Sequence, residues 1–441
     1  MLTIGCGAGF SSDRLDAAVE LVAKAPLDVV IFECVGERTL AFGHRDRMRD
    51  PMKGYNSLLE RRIRAILPIC AKRKIRIVTN MGAANPRAGA EATASIAREL
   101  GLAGLRIACV EGDDVTALMG RQTPLWEGKT IAEVGLTLVG ANAYLGIDAL
   151  IPALEAEADV VIAGRVADPS LSLAPIAHHY SWARDDWARL GAGTLVGHLL
   201  ECGMQITGGY FADPGRKDVP GLARCGYPFA EIAADGSATI TKLAEAGGMV
   251  TVDTVKEQML YEVHDPKRYL TPDVTADFSE VRLAADGSDR VGLRGAGGTA
   301  RPEQLKVTVG FDGGVLAEAG VSYAGRNAQA RAQLARDIIA ERMATVHGYA
   351  GPLRLDIIGV DSLHGTALVR PTDTEDVRLH AALRSTRRED GELLLWELEA
   401  LLCCGPAGGG GYRGAITPSV VTYSASLDRA AAPPRLEVLV A

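Results

Sequence analysis

The chain has 441 residues, of which 47% are hydrophobic and 23% charged, and its formal net charge is −8. This composition is ordinary for a globular protein with a substantial apolar core, and the acidic balance excludes the basic footprint of a nucleic-acid-binding protein. No window approaches about 20 uninterrupted apolar residues and no basic-then-apolar segment opens the chain, so we expect neither a membrane span nor a signal peptide. Eight cysteines without a Cys-x-x-Cys pair predict free thiols and hence a cytoplasmic protein.

In the first 218 residues, short β-branched apolar runs alternate with helical patterns. The predicted strands are residues 2–5, 29–34, 75–80, 105–110 and 160–163. The predicted helices are residues 13–25, 58–72, 86–100 and 146–158. Strands that are nearly continuous in hydrophobicity are buried on both faces, and their alternation with helices is typical of a parallel sheet with right-handed crossovers. We therefore predict an α/β fold whose first lobe, residues 1–218, is a Rossmann-like parallel sheet.

The second half of the chain has a different pattern. Alternating runs at residues 238–243 and 305–309 are accompanied by turn sequences that favour antiparallel hairpins, namely Asp235-Gly236, Asp286-Gly287 and Asp312-Gly313-Gly314. A helix is predicted at residues 327–347, with further strands at 353–360 and 436–440. We therefore predict a smaller α+β lobe with antiparallel strands over residues 219–441, which carries a glycine-rich loop near its C-terminus.

Each predicted strand of the first lobe runs into polar residues and glycines. The candidate residues, in chain order, are Gly7, Gly9, Glu33, Arg38, Asn80, Asn85, Glu111, Arg165 and Asp168. Because open parallel sheets bind ligands at the carboxyl ends of their strands, we expect these residues to meet at one pocket.

The glycine turn that contains Gly7 and Gly9 has two interpretations. It could bind an anion at the start of the first helix, or it could be a plain tight turn. Its spacing departs from the dinucleotide fingerprint, and His and carboxylate spacings typical of metal sites are missing. We therefore predict no resident cofactor and no metal.

Glu33 and Asn80 are the candidates for proton chemistry. Glu33 could pair with an arginine such as Arg38, or burial could raise its pKa and make it a general acid or base. Asn80 could hold a substrate carboxyl or enolate oxygen, or it could tie neighbouring loops together. Both choices stay open at the level of the sequence.

Arg165 is the candidate for anion binding beside them. It could clamp a carboxylate or phosphate together with Asp168, three residues further on. Asp168 could instead cap the helix that starts at Pro169.

Two features of the second lobe could add to the pocket. His264 stands next to Asp265, which could orient the imidazole for proton transfer, although a structural histidine is the alternative. The glycine run at 405–414 could be a hinge, or a loop whose amides approach an anion. In the second case Gly409, Gly410 and Arg413 would contact the ligand.

Several stretches together resemble the acyclic terpene utilisation (AtuA-like) family, over nearly the whole chain. They are Ile4-Gly5-Cys6-Gly7-Ala8-Gly9-Phe10, Phe32-Glu33-Cys34 with Glu37-Arg38-Thr39, Thr79-Asn80-Met81-Gly82-Ala83-Ala84-Asn85-Pro86, Ala163-Gly164-Arg165-Val166-Ala167-Asp168-Pro169-Ser170, Gln205-Ile206-Thr207-Gly208-Gly209 and Tyr261-Glu262-Val263-His264-Asp265-Pro266. The resemblance implies a place in bacterial catabolism beside acyl-CoA-processing enzymes, with coenzyme A entering only as part of a substrate. Many members carry an Arg-Ser/Thr-Gly-Asp-Lys-Gly-like segment where this chain has its glycine run.

Three functional hypotheses follow. In the first, the protein is a cofactor-independent lyase or hydratase for a carboxylic acid or acyl-CoA, in which Glu33 moves the proton, Arg165 and Arg413 hold the carboxylate and Asn80 steadies the enolate-like oxygen. The second is an acyl or CoA transferase or hydrolase with Cys34 or Glu33 as nucleophile. The third is a non-catalytic subunit that binds a CoA ester. In each case a homo-oligomer is expected.

Overall fold

The computed structural model of the protein describes residues 1–365 and 374–441. It divides into two compact units, of which the first comprises Met1–Gly310 with Thr422–Ala441 and the second Phe311–Val421. The predicted α/β class is confirmed, because one large sheet contains parallel strands and a separate sheet is antiparallel. The boundary expected between residues 218 and 219 falls inside the first unit, since strands from both sides of it join one sheet.

The secondary-structure elements are numbered in chain order. The helices are α1 (Asp16–Lys24), α2 (Glu37–Arg49), α3 (Leu59–Arg73), α4 (Pro86–Glu99), α5 (Ile131–Val134), α6 (Ile147–Glu155), α7 (Ser170–His179), α8 (Trp187–Glu201), α9 (Val252–Leu260), α10 (Ala328–Thr345) and α11 (Arg388–Cys404). The strands are β1 (Leu2–Ala8), β2 (Val29–Phe32), β3 (Arg76–Thr79), β4 (Arg106–Glu111), β5 (Leu138–Ala143), β6 (Val160–Ala163), β7 (Pro228–Ile232), β8 (Ala238–Lys242), β9 (Tyr269–Leu270), β10 (Thr275–Asp277), β11 (Arg282–Ala285), β12 (Arg290–Arg294), β13 (Gly297–Thr299), β14 (Gln304–Ala324), β15 (Leu353–Ile358), β16 (Asp376–Ser385), β17 (Gly410–Asp428) and β18 (Arg435–Val440).

The large sheet of the first unit has a parallel centre and antiparallel flanks. Its order within the described residues is β11-β12-β8-β7-β1-β2-β3-β6-β4-β18. The run from β1 to β4 is parallel, and these five strands are the ones predicted in the first half of the chain. β7 pairs antiparallel with β1, and β18 pairs antiparallel with β4. The carboxyl ends of the parallel strands therefore share one edge.

Alternating side chains bury both faces of this sheet. Val30 and Phe32 of β2 belong to an apolar cluster with residues of α1, α3 and α4, such as Leu21 and Ile66. Helices α7 and α8 pack against the central strands as well, and α6 packs on β4 and β6. Burial on both sides explains the continuous hydrophobicity of the strands.

The hairpins predicted in the second half have mixed outcomes. Asp235-Gly236 joins β7 to β8 and Asp286-Gly287 joins β11 to β12, but both hairpins extend the first sheet instead of forming the second lobe. The turn predicted at Asp312-Gly313-Gly314 is wrong, because β14 runs through it as one strand. Gly314 has φ +73°, and its α-carbon lies against the backbone of Ser385. Glycine is therefore needed there for a local irregularity of the backbone within a continuous strand.

The second unit is an antiparallel sheet covered by two helices. Its strand order in the described residues is β15-β16-β14-β17. Val321 of β14 and Leu379 of β16 form an apolar core with Ile339 of α10 and Leu398 of α11. The helix predicted at 327–347 is confirmed as α10. Among the helices of the described residues, none combines the length and apolar character that crossing a membrane requires.

Candidate active site

A cavity of about 1010 Å³ lies in the first unit, at the carboxyl ends of β1, β2 and β6. Its polar wall is contributed by the loops that follow these strands and by the end of α8. The residues concerned are Gly9, Asp13, Arg14, Glu33, Glu37, Arg165, Asp168, Glu201 and Cys202. Of the residues proposed from the sequence, Gly9, Glu33, Arg165 and Asp168 are thereby brought together. The volume lies at the upper end of the range typical of small-molecule sites.

Glu33 follows β2 and is held by one of its two carboxylate oxygens. Its Oε1 accepts hydrogen bonds from Asn80 Nδ2 (2.9 Å) and from the backbone N–H of Val35 (2.9 Å). Within the described residues, no hydrogen bond of the protein is made by Oε2. Asn80 and Val35 are buried whereas Glu33 is half-buried at the cavity wall. The carboxyl is therefore oriented through Oε1, and its Oε2 makes no hydrogen bond to the described residues.

The surroundings of Glu33 favour a proton on its carboxyl. Burial, followed by the charge of Asp168, raises the pKa of Glu33 to about 8, against the opposing effects of Arg165 and Asn80. A carboxyl whose pKa lies near the ambient pH can exchange a proton in either direction.

Asn80 positions Glu33 and is not part of the cavity wall. It is fully buried at the end of β3, where Nδ2 donates to Glu33 and Oδ1 accepts from the Cys34 N–H at 2.8 Å. It therefore ties the loop after β2 to the end of β3. Of the two interpretations left open by the sequence, the loop-tying one matches these contacts.

Arg165 is a buried cation with several fixed partners. Its Nη1 donates to the carbonyl of Val35 (2.8 Å) and to Asp168 Oδ1 (2.6 Å), and its guanidinium carbon lies 3.9 Å from the centre of the Tyr144 ring. Its Nε is buried and has no hydrogen-bond partner in the described residues. The Asp168 carboxylate binds Arg165, and α7 begins after Pro169 without a side-chain cap, so Asp168 does not act as the helix cap.

A second group of charges surrounds Tyr144. The Tyr144 hydroxyl donates to Glu37 Oε1, and Lys306 Nζ lies 3.0 Å from the same oxygen. Burial alone would raise the pKa of Glu37, but the Tyr144 hydroxyl, Arg165 and Lys306 outweigh it and lower the pKa to about 2. Glu37 is therefore a fixed anion, in contrast to Glu33.

Glu201 and His198 are functional candidates that the sequence reasoning missed. Both lie on α8 and are buried, with 6% and 1% of their surfaces exposed. His198 Nδ1 is 3.0 Å from Glu201 Oε1, while Glu201 Oε2 and His198 Nε2 have no partners in the part of the chain that the structure describes. Burial, followed by the charges of Asp168 and Glu262, raises the pKa of Glu201 well above its ordinary value. The sequence signal is a His-x-x-Glu spacing in the C-terminal half of a helix, where the neighbouring residues are Leu195, Val196, Gly197, Leu199 and Leu200.

The wall of the cavity is acidic and its rim is apolar. The acidic lining residues are Asp13, Glu33, Glu37, Asp168, Glu201 and Glu262, and the basic ones are Arg14, Arg165 and Lys306. Five large apolar side chains of the lining are exposed to solvent, namely Phe10, Trp126, Tyr210, Leu222 and Leu270. Exposed apolar side chains gathered at one opening are typical of a binding site.

Besides Asn80, four of the proposed residues from the first half of the chain lie outside this wall. The Gly7 α-carbon packs against the ring of Phe32, so this glycine fills a close contact in the sheet. Asn85 caps α4 through Ala88 N and also binds two loop carbonyls. Arg38 is exposed and stacks over Phe42, and Glu111 pairs with Arg87.

The candidates from the second half have other environments. His264 is exposed, a few residues beyond the end of α9, and lies outside the wall, whereas its neighbours Tyr261 and Glu262 belong to it. Gly409, Gly410 and Arg413 belong to the second unit. There Gly409 lies against the Tyr323 ring, and Arg413 Nη1 donates to the carbonyl of Tyr412.

Cys34 is fully buried, and Arg62 Nη1 donates to its Sγ at 3.2 Å. Burial raises the pKa of the Cys34 thiol far above its ordinary value. A thiol in this state is a poor nucleophile. In the described residues, no group of three or more His, Cys, Asp or Glu side chains is placed to hold a metal ion.

Comparison with known proteins gave one family match. The model of the family described as acyclic terpene utilisation family protein AtuA matches residues 2–438. No curated protein and no solved structure matched the chain significantly. The family match spans both compact units and the whole cavity wall.

Proposed function

Because the chain belongs to the acyclic terpene utilisation family AtuA, we propose that it is a cofactor-independent lyase or hydratase for an acyl-CoA or carboxylic acid intermediate of that catabolic pathway. The observation that carries the proposal is Glu33, a carboxyl bound through Oε1 alone at the wall of a large cavity. Addition and elimination of water next to an acyl carbonyl require a positioned base for the carbon-bound proton.

Glu33 has the features of that base. Two donors, Asn80 Nδ2 and Val35 N, stabilise its ionised form, and Arg165 adds a positive charge nearby. Its pKa of about 8 makes the conjugate base strong enough to take a proton from carbon yet accessible in weakly alkaline solution.

Arg165 is the group that supports the enolate-like oxygen formed when the proton leaves. It lines the cavity, it is buried, and its Nε–H has no partner in the described residues. A fixed donor of this kind stabilises developing negative charge without reorganisation. This role was expected of Asn80, whose amide is instead occupied by Glu33 and Cys34.

The charge of the wall favours a thioester over a free acid at the reacting centre. A free carboxylate would stand close to Asp168 and Glu37, whereas a thioester carbonyl is uncharged. The apolar rim and the cavity volume suit an acyl chain. We therefore place acyl-CoA thioesters ahead of free acids as substrates.

The test is proton exchange and water addition with a panel of straight and methyl-branched 2-enoyl-CoA and 3-hydroxyacyl-CoA thioesters in D2O, followed by mass spectrometry. We expect deuterium at the α-carbon and interconversion of the two classes by the wild type. Glu33→Gln should reduce both by at least about 100-fold. Glu111→Gln, which removes a carboxylate outside the cavity wall, is the matched control and should keep full activity.

Other outcomes point to the other hypotheses. Full turnover by Glu33→Gln, or no exchange with any thioester, would overturn the proposal. Release of free CoA would support a hydrolase or transferase. Binding by calorimetry without any product would support a non-catalytic CoA-ester-binding subunit.

A further inference from the structure

The cavity wall contains a second carboxyl, that of Glu201, which is more deeply buried than the Glu33 carboxyl and has fewer hydrogen-bond partners. Glu201 lies at the C-terminal end of α8, lines the cavity and has only 6% of its surface exposed. Glu33 receives two donors on one oxygen, but Glu201 has one neighbour, His198, and an Oε2 without any partner in the described residues. An ionised carboxylate buried in this way would be poorly stabilised, whereas a neutral carboxylic acid fits the site.

We propose that Glu201 is the general acid that works with Glu33, and that His198 is the residue that positions it. This inference rests on the proposed function, and it narrows that function to the elimination of water from 3-hydroxyacyl thioesters and the reverse addition.

The proposed step is balanced in atoms and protons. The Glu33 carboxylate takes a proton from the carbon next to the thioester carbonyl, and the electron pair of that C–H bond moves towards the carbonyl oxygen to give an enolate. The electron pair then returns from the enolate and forms the new C=C bond. The bond between the β-carbon and its hydroxyl oxygen breaks, and this oxygen takes the Oε2 proton of Glu201 and leaves as water. Glu33 ends protonated and Glu201 ionised, and the reverse reaction or exchange with water restores both.

The neighbours of Glu201 favour the acid form in the resting state. The charged groups that act on it are Asp168 and Glu262, which oppose its ionisation, and Arg165, which favours it. Two anions against one cation, together with burial, favour the proton on Glu201, whereas two hydrogen-bond donors on Oε1 stabilise the ionised form of Glu33.

His198 is placed to support the carboxylate that forms when the proton leaves. Its Nδ1 is 3.0 Å from Glu201 Oε1, so an Nδ1–H would donate to that oxygen. Burial lowers the pKa of His198 to about 4, so the ring is neutral. The imidazole packs between two aromatic rings. The Phe278 ring is stacked on it with 5.9 Å between the ring centroids, and the Tyr269 ring is tilted against it with 5.1 Å between the centroids. Its Nε2 is buried and has no hydrogen-bond partner in the described residues.

The experiment separates the two proton transfers with the thioester that the wild type turns over most rapidly. Glu201→Gln should keep α-deuterium exchange within about 3-fold of the wild type and lose at least about 100-fold in water elimination. Elimination from the matching 3-chloroacyl-CoA should stay near the wild-type rate in this variant, because chloride leaves without a proton. Glu33→Gln should lose exchange and both eliminations.

The role of His198 has its own readout. His198→Asn, whose amide can still donate to Oε1, should keep most of the elimination rate, whereas His198→Leu should lose about 10-fold and move the alkaline limb of the elimination profile to higher pH. Glu201→Gln should remove that limb. Thermal unfolding of each variant checks the fold, and the 3-chloro substrate checks that the site is intact.

Each remaining result decides against one of the two proposals. Wild-type elimination of water by Glu201→Gln, or equal loss of exchange and of both eliminations in that variant, would overturn the role of Glu201 alone. Wild-type exchange by Glu33→Gln, or no turnover of any thioester, would overturn the proposed function itself.

Discussion

Gly9 lies directly against the backbone of Cys202, closer than any side chain would permit. A Cβ at Gly9 would overlap the Cys202 carbonyl carbon and lie 2.5 Å from the carbonyl oxygen of Glu201. The loop after β1 therefore contacts the C-terminal end of α8, which carries Glu201. Because Gly9 has no side chain, the end of α8 can pack against this loop, and this packing helps to position the Glu201 carboxyl.

Gly9→Ala should therefore both destabilise the protein and disturb the site. The new methyl group must displace the end of α8, which costs about 1–3 kcal/mol of unfolding free energy, and water elimination should fall more than α-proton exchange. Denaturant unfolding and the thioester assay measure the two effects. Gly410→Ala is the control, because a Cβ there meets nothing within 4 Å. Equal behaviour of the two variants would contradict the packing argument.

Asn80→Leu should shift the ionisation of Glu33. The substitution removes the Nδ2 donor to Oε1, so the pKa of Glu33 should rise above about 8 and the acid limb of kcat/KM should move to higher pH. The Cys34 N–H also loses its acceptor, which costs about 1–3 kcal/mol of stability. As a control, Asn85→Ala removes a cap from α4 and should lower stability without moving the limb. An unchanged limb in Asn80→Leu would show that the amide does not tune Glu33.

The sequence predicts the individual strands around the cavity, but it does not predict which distant strands pair with one another. The strand at residues 29–34 is recognisable by its β-branched run, and residues at the carboxyl end of a parallel strand lie at the ligand edge of the sheet. Glu33 is at that end of the strand and lines the cavity. Which strands share a sheet depends on distant pairing. The hairpin of β7 and β8 therefore looked like part of a second lobe, although β7 pairs with β1.

Functional polar residues inside apolar helices cannot be recognised from the sequence in this way. His198 and Glu201 stand in a helix of which nearly every residue is buried, so no loop, turn or strand end marks them. Their pairing is visible only as an i, i+3 spacing. Conversely, the Asp312-Gly313-Gly314 sequence has turn chemistry but lies within a strand, because pairing of β14 with β16 overrides the local preference.

The free energy of unfolding should depend on pH because the Glu33 carboxyl ionises at a higher pH in the folded protein than in the unfolded chain. The pKa of this carboxyl rises from an ordinary 4.5 to about 8 on folding, so its contribution is fully present below pH 4.5 and is lost as the pH rises through 8. Glu33→Gln removes this titration. The variant should gain about 4 kcal/mol of unfolding free energy relative to the wild type between pH 5 and pH 9, as measured by urea unfolding at several pH values. A difference that does not change with pH would mean that Glu33 is not a raised-pKa group.

Glu37 should show the opposite dependence, which Tyr144→Phe reveals. The pKa of Glu37 is lowered from 4.5 to about 2, so the stabilisation is present above pH 4.5 and is lost as the pH falls through 2. Removal of the Tyr144 hydroxyl should cost about 1 kcal/mol at pH 7 and progressively less below pH 4.5, while the ring beneath Arg165 remains. Tyr349→Phe, whose hydroxyl donates to the carbonyl of Pro352, should have a pH-independent effect.

Alkylation of the native protein should distinguish exposed thiols from the buried one beside Glu33. Cys403 and Cys404 are exposed and should react with iodoacetamide, whereas Cys34 is buried, its pKa is raised by that burial, and it should react only after unfolding. Because Cys34 takes no part in the proposed chemistry, Cys34→Ser should retain activity within a few-fold and lose about 1–2 kcal/mol of stability from the buried hydroxyl. Peptide mass spectrometry after a timed reaction gives the modified positions. Inactivation that substrate prevents, traced to Cys34, would instead support a thiol nucleophile and reverse the order of the two enzymatic hypotheses.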